Sequence, residues 1–281
     1  MAKIKPFQPL IYQDQNNLQN LISPPYDVIN EDLAEKLNAR NPHNAIRVTY
    51  ALNEKGQDKY SSIQTIFESW IIDRILISTS NNSMIFLEEQ FTWKNEKKTR
   101  KGVLALVEID SDGKIIPHEK TFEPVVEELV RFLESSQAHL SPIFLVVEDT
   151  GNNFSEVLKQ VSTGVDSQKV ENQDEPITHH VSRITDQKSL KKIQDFFVGK
   201  NLMIADGHHR FQACLNYMRK TGKKIPVLAY ITSSSDPGLI LEPSNITIEK
   251  IIQTCKDGKT LPQKSTYFYP KVMSGFAFYK F

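Results

Sequence analysis

Cysteine, net charge and long apolar runs are all scarce in this chain, and each scarcity excludes a class of protein. Its only cysteines, Cys214 and Cys255, form no ligand-spaced cluster, which argues against a disulfide scaffold or a structural zinc site and favours a reducing compartment. Lys plus Arg and Asp plus Glu both number 34, so nothing favours nucleic acid as a partner. No apolar run approaches membrane-spanning length and no signal peptide is recognisable, so we expect a cytoplasmic protein without a membrane partner.

The composition is that of a globular protein. The 281 residues are 39% hydrophobic and 24% charged, which is enough for one large domain or two ordinary ones. Helical and strand-like patterns alternate, so the sequence predicts a mixed α/β fold. We expect an N-terminal α/β region over residues 1–110, a core over 111–235 that carries the site, and a C-terminal arm over 236–281. A homodimer is compatible with this organisation.

The periodicity of apolar residues predicts the individual elements. Strands are expected over residues 84–91, 103–109, 141–147, 202–205, 227–231 and 239–241, with a turn at Asp112-Gly113. Helices are expected over residues 31–39, 58–73, 124–135, 186–197 and 246–255. The aromatic stripe of the second helix, which includes Tyr60, is interpreted as packing. The polar, acidic residues 162–178 predict a loop, followed by solvated His179 and His180.

The segment from Ile204 to Arg210, Ile-Ala-Asp-Gly-His-His-Arg, is the strongest candidate for a site. Gly207 permits a sharp turn after a buried strand, and the residues that follow have helical spacing from His208 onward. The free N–H groups and partial positive charge of a helix start favour anions, and Arg210 can hold a phosphate with two hydrogen bonds. His208 and His209 add donors or a proton relay.

Asp206 is unusual in that setting, because a carboxylate repels phosphate unless it binds a divalent cation, orients a histidine or accepts a proton. The alternative is that Asp206 only caps the helix and that the histidines are neutral packing residues. The combination of all five residues at a strand-to-helix corner favours a ligand site.

Three further segments carry candidate residues. Pro117 is followed by His118, Glu119, Lys120 and Thr121, four polar residues of different chemistry after an apolar run. Arg100, just before a predicted strand, is either a ligand contact or part of a solvated basic turn. Tyr26 and Asp27 follow two prolines that hold the backbone extended, and Asp27 either contacts substrate or metal or lies at the surface of a helix entry.

The chain resembles domain-of-unknown-function family 1015 over nearly its whole length. The segments that carry this resemblance are Ser23–Ile29, Glu89-Gln90-Phe91, Arg100 with Gly102, His118-Glu119-Lys120-Thr121, Ser141-Pro142-Ile143-Phe144, Ala205–Arg210 and Lys264–Pro270. The order of these segments matches as well. The family name itself implies little about function.

A more distant resemblance has functional content. Pro117-His118-Glu119, a helix, a strand over 141–147 and then Asp206–Arg210 look like the ParB and sulfiredoxin superfamily, including its ADP-dependent free-serine kinases. The resemblance implies a ParB-like core and a kinase that uses ADP or ATP with Mg²⁺ on a small hydroxylated metabolite. Glu119 would be the general base, and the segment from Asp206 to Arg210 would hold phosphates and metal.

The candidate residues fall into three groups by expected role. The catalytic candidates are Glu119, His118 and Asp206, with Asp206 also the metal ligand; the nucleotide-binding candidates are Gly207, His208, His209, Arg210, Arg100 and Lys120; the substrate candidates are Asp27 and Tyr26. Two alternatives remain open. One is a regulatory module that binds a nucleotide without turnover, and the other is a metal-dependent hydrolase that uses the histidines with Asp206.

Overall fold

The computed structural model describes residues 3–50, 59–109, 115–243, 266–269 and 271–281. The helices of this part are α1 Leu18–Leu21, α2 Glu31–Arg40, α3 Ile46–Thr49, α4 Lys59–Ile72, α5 Glu123–Ser136, α6 Asn153–Ser162, α7 Gln187–Phe196 and α8 His208–Thr221. Short 3-10 turns cover Gln15–Asn17 and Tyr26–Val28. The predicted mixed α/β class is confirmed.

The strands alternate with these helices along the chain. They are β1 Lys3–Lys5, β2 Leu10–Tyr12, β3 Leu76–Ser78, β4 Met84–Trp93, β5 Glu96–Glu108, β6 Ile115–Ile116, β7 Ala138–His139, β8 Ile143–Val147, β9 Ser167–Glu171, β10 Ile177–Ile184, β11 Leu202–Asp206, β12 Val227–Ser233, β13 Ile240–Pro243, β14 Thr266–Tyr269 and β15 Tyr279–Lys280. Asn30 caps α2 by accepting a hydrogen bond from the Leu33 N–H at 2.9 Å.

Nine strands form one mixed sheet. Eight of them run in the order β6-β11-β8-β12-β5-β4-β10-β9, and β1 pairs with the last part of β5. β12 is parallel to β8 and β6 is parallel to β11, whereas the other neighbours are antiparallel. Strands from residues 1–110 and from residues 111–235 therefore belong to the same sheet.

Both faces of the sheet are covered, which explains why its central strand is apolar throughout. All five residues of β8 are buried. Ile143, Leu145 and Val147 pack in the core under α5 to α8, while Phe144 and Val146 pack in the opposite core with the N-terminal helices and residues 272–278. A strand buried on both sides gives a continuous apolar run rather than alternation.

The end of the C-terminal arm is part of the core on the side of the sheet that carries Phe144 and Val146. Residues 271–281 run between the N-terminal segment and the sheet: Ser274 bridges to Ser23, and Phe278 to Leu10. Phe278 is fully buried, and β15 pairs with β7. This arm brings residues that are distant in sequence against the end of β11.

The loop predicted over residues 162–178 is wrong in part, because β9 and the start of β10 lie there. Val170 is the only buried residue of β9, so an edge strand with four polar residues gave no alternating apolar pattern. His179, predicted to be solvated, is 0% exposed. Asp112-Gly113, the predicted helix over 246–255 and residues 264–265 lie outside the described residues. Among the residues described, no helix is long and apolar enough to cross a membrane.

Candidate functional site

The corner between β11 and α8 forms as the sequence predicts. β11 ends at Asp206, Gly207 takes a left-handed φ of +90°, and α8 starts at His208. A Cβ on Gly207 would lie 3.0 Å from Ile143 Cγ2 and 3.1 Å from Arg210 Nε. Glycine is therefore required here both for its backbone angle and for space. As at any helix start, the first N–H groups of α8 have no intrahelical acceptor.

Arg210 connects the corner to the start of β8. Its Nη1 donates to Ser141 Oγ at 2.8 Å and to the carbonyl of Pro142, and its Nη2 donates to Asp206 Oδ2 at 3.0 Å. Ser141 is in turn held by the Ser274 hydroxyl at 3.0 Å. The Arg210 side chain is 11% exposed, and its buried Nε has no hydrogen-bond partner among the described residues.

Asp206 lies between two cations. Arg210 contacts one carboxylate oxygen, and Lys271 Nζ from the C-terminal arm lies 3.4 Å from the other. The side chains of Asp206 and Lys271 are 7% and 15% exposed, so solvent screens these charges less than at an open surface. Arg210 and Lys271 therefore place two cations beside the start of α8, where each can contact an anion.

The two histidines of the corner hold the segment that precedes α5. The backbone N–H of His118 donates to His208 Nε2 at 3.3 Å, and that of Phe122 donates to His209 Nε2 at 3.0 Å. An Nε2 that accepts carries no proton in the neutral ring, so the proton of each neutral imidazole belongs on Nδ1. These contacts fix residues 118–122 against the first turn of α8.

Glu119 is held between two imidazoles. Its Oε2 lies 3.6 Å from His208 Nδ1, and its Oε1 lies 3.8 Å from His118 Nε2. The two rings meet edge to face, with centroids 4.5 Å apart. The Glu119 side chain is 15% exposed and that of His118 29%, whereas that of His208 is 3% exposed. A carboxylate that stays reachable beside a buried and a partly exposed imidazole has the components of a proton relay.

A cavity of about 370 Å³ opens beside Arg210, between α4, α5 and α8. Arg210, Ser141 and Tyr26 belong to its wall, and the Arg210 guanidinium carbon lies 5.9 Å from the centre of the Tyr26 ring. Cys214 also lines the cavity, and burial raises the pKa of its thiol to about 12. This thiol therefore stays protonated near neutral pH and is a poor nucleophile.

Most of the predicted site residues converge. Glu119, His118, Asp206, Gly207, His208, His209 and Arg210 surround the start of α8. Tyr26 contacts the same region through Arg210, and Lys120 is exposed next to Glu119. Asp27 lies in the 3-10 turn Tyr26–Val28, and its side chain is outside the described part of the structure.

Arg100 lies elsewhere, in a buried polar cluster. It belongs to β5 and is 0% exposed, so its interpretation as a solvated turn is wrong. Arg100 Nε donates to Glu89 Oε2 at 2.6 Å, Tyr230 OH donates to the same oxygen at 3.1 Å, and His179 Nδ1 lies 3.6 Å from Oε1. His179, Glu89 and Arg100 are register partners on three adjacent strands, so their side chains share one face.

Lys271, Ser141 and Ser274 are the residues that sequence reasoning missed. Ser141 and Ser274 orient Arg210 through a chain of hydrogen bonds, and Lys271 completes the charge around Asp206. Ser141 was recognisable as a polar residue directly before a buried strand. No residue pattern around Lys271 indicates a role, because its contact with Asp206 depends on the path of the C-terminal arm.

The described residues contain no group of three or more His, Cys, Asp or Glu side chains with the geometry of a metal centre. Asp206 could contribute a carboxylate to a metal site whose other ligands come from a bound molecule. The Nε2 atoms of His208 and His209 already accept backbone N–H groups, which uses the lone pairs that a metal would need.

One of the comparisons with known proteins identifies a family for this chain. The sequence model of a family described as "Protein of unknown function (DUF1015)" matches residues 4–269. No curated protein and no solved structure matches the chain.

Proposed function

The chain belongs to the DUF1015 family, and from the site that it carries we propose that it is a nucleotide-dependent phosphotransferase acting on a small hydroxylated metabolite such as free serine. One observation carries this proposal: the Glu119 carboxylate lies 3.6 and 3.8 Å from two imidazole nitrogens, next to a helix start where Arg210 and Lys271 both contact Asp206. Phosphoryl transfer needs an anion site and a base that faces it, and these residues fit both needs.

The anion site would take the phosphates of ADP or ATP. Arg210 supplies a guanidinium and Lys271 an ammonium, and the start of α8 adds the partial positive charge of a helix N-terminus. The buried Arg210 Nε, with no hydrogen-bond partner among the residues described, is a donor that a phosphate oxygen would satisfy. In the absence of ligand, Asp206 neutralises part of the charge of the two cations.

Asp206 would hold Mg²⁺ when the nucleotide binds. Its two carboxylate oxygens are suitable ligands for this hard cation, and the bound ion supplies charge neutralisation on the phosphates. Binding of phosphate by Arg210 and Lys271 would release the carboxylate for that role. The donor set therefore fits a nucleotide with its metal.

Glu119 would act as the base for the substrate hydroxyl. The substrate oxygen would form a bond to the terminal phosphorus while the bond from that phosphorus to the bridging oxygen breaks, so that AMP leaves from ADP or ADP leaves from ATP, and the hydroxyl proton would move to a Glu119 carboxylate oxygen. His208 keeps its proton on Nδ1, facing Glu119, and so stabilises the carboxylate before transfer. His118, which is more exposed, can pass the proton on to solvent.

The resemblance of residues 117–119 and 206–210 to the ParB and sulfiredoxin superfamily supports the same proposal, because that superfamily includes ADP-dependent free-serine kinases. It also supports a ParB-like core within residues 111–235. A cytoplasmic location, a homodimer and the substrate contacts expected of Tyr26 and Asp27 stay predictions.

The direct test is a kinase assay. Purified protein with ADP or ATP, Mg²⁺ and a panel of amino acids should give a phosphorylated product, identified by mass spectrometry. Glu119→Gln should lower the rate by about 10²- to 10⁴-fold, because Gln keeps the shape but cannot accept the proton. Glu171→Gln on the exposed part of β9 is the matched control and should leave the rate unchanged.

Two outcomes would contradict the kinase. Absence of product with every candidate acceptor, although nucleotide binds, would instead support a regulatory module that uses the same anion site. A product rate that Glu119→Gln leaves unchanged would remove Glu119 as the base. Isothermal titration of ADP against wild type and Arg210→Met distinguishes the module from a protein that binds no nucleotide.

A further inference from the structure

The cavity beside Arg210 has no role in the transfer chemistry described above. We propose that it holds the nucleoside part of the nucleotide, with an adenine base, an inference that rests on the proposed function. Arg210, Ser141 and Tyr26 belong both to the cavity wall and to the surroundings of the anion site. A ligand whose phosphates contact Arg210 can therefore extend into this cavity without crossing the protein.

The lining suits a flat aromatic ring. Three tyrosines, Tyr26, Tyr50 and Tyr60, contribute to the wall, and aliphatic side chains such as Leu129 and Leu133 provide much of the rest. Aromatic side chains stack on the flat faces of nucleobases, and this stacking stabilises the bound base. Free serine is small and polar on every side, so this apolar lining does not match the proposed acceptor.

The size agrees with the same assignment. A volume of about 370 Å³ lies within the usual range of small-molecule sites, roughly 300–1,000 Å³. Glu128 is the acidic residue of the wall, and a carboxylate there can accept a hydrogen bond from the amino group of adenine. The charge of Arg210 at one end and Glu128 in the wall match a molecule with an anionic end and a base that donates.

The positions of the groups also give an order along the ligand. Glu119 does not line the cavity, whereas Arg210 lines it and contacts Asp206. A nucleoside in the cavity, phosphates at Arg210 and Lys271, and an acceptor at Glu119 then follow one another in the order that phosphoryl transfer requires. If the acceptor were in the cavity, the phosphates would lie between the acceptor hydroxyl and Glu119.

The test compares two ligands that share the phosphates but not the nucleoside. Titration calorimetry in Mg²⁺ should show wild type binding ADP at least tenfold more tightly than inorganic pyrophosphate. Ala213→Phe fills the cavity from α8, because Ala213 is buried in its wall. In this variant the affinity for ADP should fall to that for pyrophosphate, while the affinity for pyrophosphate stays within twofold of wild type. Ala213→Ser, which adds almost no volume, should keep the preference for ADP.

The results that would overturn the inference are distinct from failure of the proposed function. Equal affinities of wild type for the two ligands, or unchanged ADP affinity in Ala213→Phe, would show that the nucleoside binds elsewhere. If wild type binds neither ligand, the proposed function fails and the inference with it.

A second measurement avoids substitution altogether. Photolabelling of wild type with 8-azido-ADP, followed by peptide mapping, should mark the peptides with Tyr60 or residues 125–140, and a label confined to other peptides would overturn the inference. For the base, ADP should bind more tightly than inosine diphosphate, which lacks the amino group. Glu128→Leu should abolish that preference, and wild type without any preference would overturn the assignment of adenine.

Discussion

Arg210 and Gly207 show how much of the site depends on single residues. Arg210 contacts β11, the start of β8 and Tyr26 at once, and it can do so because Gly207 leaves room for its side chain. The guanidinium is held by four oxygen-bearing or aromatic neighbours before any ligand arrives. Such preorganisation lowers the entropy cost of binding an anion.

Gly207→Ala is therefore expected to destabilise the protein more than the strain of its left-handed backbone angle alone would. Gly222, at the other end of α8, is the matched control, because it has a φ of +71° and nothing within 4 Å of an added Cβ. Gly222→Ala should cost about 1–2 kcal/mol of unfolding free energy through its left-handed backbone. Gly207→Ala should cost roughly 2–4 kcal/mol, since it adds contacts with Ile143 and Arg210.

Urea unfolding and ADP titration of both variants measure this difference. Gly207→Ala should also weaken ADP binding, whereas Gly222→Ala should not. Equal stability losses and equal ADP affinities in the two variants would show that the space beside Arg210 is not critical.

The role of a single residue could be predicted where its neighbours in the sequence form the structural feature. An apolar strand, a glycine and a helical pattern stood next to one another, so the corner and its five residues could be predicted. Arg100 could not be assigned correctly, because it stands among lysines in the sequence and its partner Glu89 becomes its neighbour only when β4 and β5 pair. Burial of a charge is decided by that pairing.

α8 and the segment before α5 act as one unit at the scale of elements. Phe122 is the N-cap residue of α5 and makes no side-chain cap. Its N–H is instead held by His209 from the first turn of α8. The two helices also pack against each other, so the position of Glu119 depends on both.

Removal of this link should loosen the start of α5. In His209→Leu the Phe122 amide loses its acceptor, and its hydrogen exchange should become several-fold faster, as expected when a bond of about 1 kcal/mol is lost. Gln212→Leu, which removes a side-chain bond to Asn216 within α8, is the control and should leave that amide unchanged. NMR measures the hydrogen-exchange rate of the Phe122 amide in both variants. Identical rates would contradict a stabilising bond from this amide to His209.

Element prediction succeeded for amphipathic and doubly buried segments and failed at a sheet edge. α5 was expected over residues 124–135 and covers Glu123–Ser136, because one apolar stripe defines it. β9 has a single buried residue, so its pairing with β10 supplies the stability that its own sequence does not indicate. Hydrogen bonds of an edge strand leave no trace in the apolar pattern.

At the scale of the whole molecule, two of the buried histidines, His139 and His179, couple its stability to pH. His139 Nε2–H donates to the Pro226 carbonyl at 2.9 Å, and burial lowers the pKa of this imidazole to about 4. Burial also lowers the pKa of His179 to about 4, beside Glu89 and Arg100. Each ring is therefore neutral in the folded protein at pH values where the unfolded chain, with a pKa near 6.5, already binds a proton.

Stability should consequently fall as the pH drops from 6.5 towards 4. Between pH 7 and pH 5 the expected loss is roughly 2 kcal/mol per histidine. Urea unfolding at the two pH values measures it, and His179→Gln should reduce the difference by about half relative to wild type. A wild-type protein equally stable at pH 7 and pH 5 would contradict this coupling.

During protein synthesis, the charge around Asp206 is complete only after Lys271 has been added to the chain. Asp206, Gly207 and Arg210 leave the ribosome well before the arm that carries Lys271, at a rate of about 5–20 residues per second. For that interval the nascent corner has one cation instead of two against its carboxylate. Under the proposed function, a growing chain would hold phosphate less tightly until translation has passed residue 271 and the arm has docked.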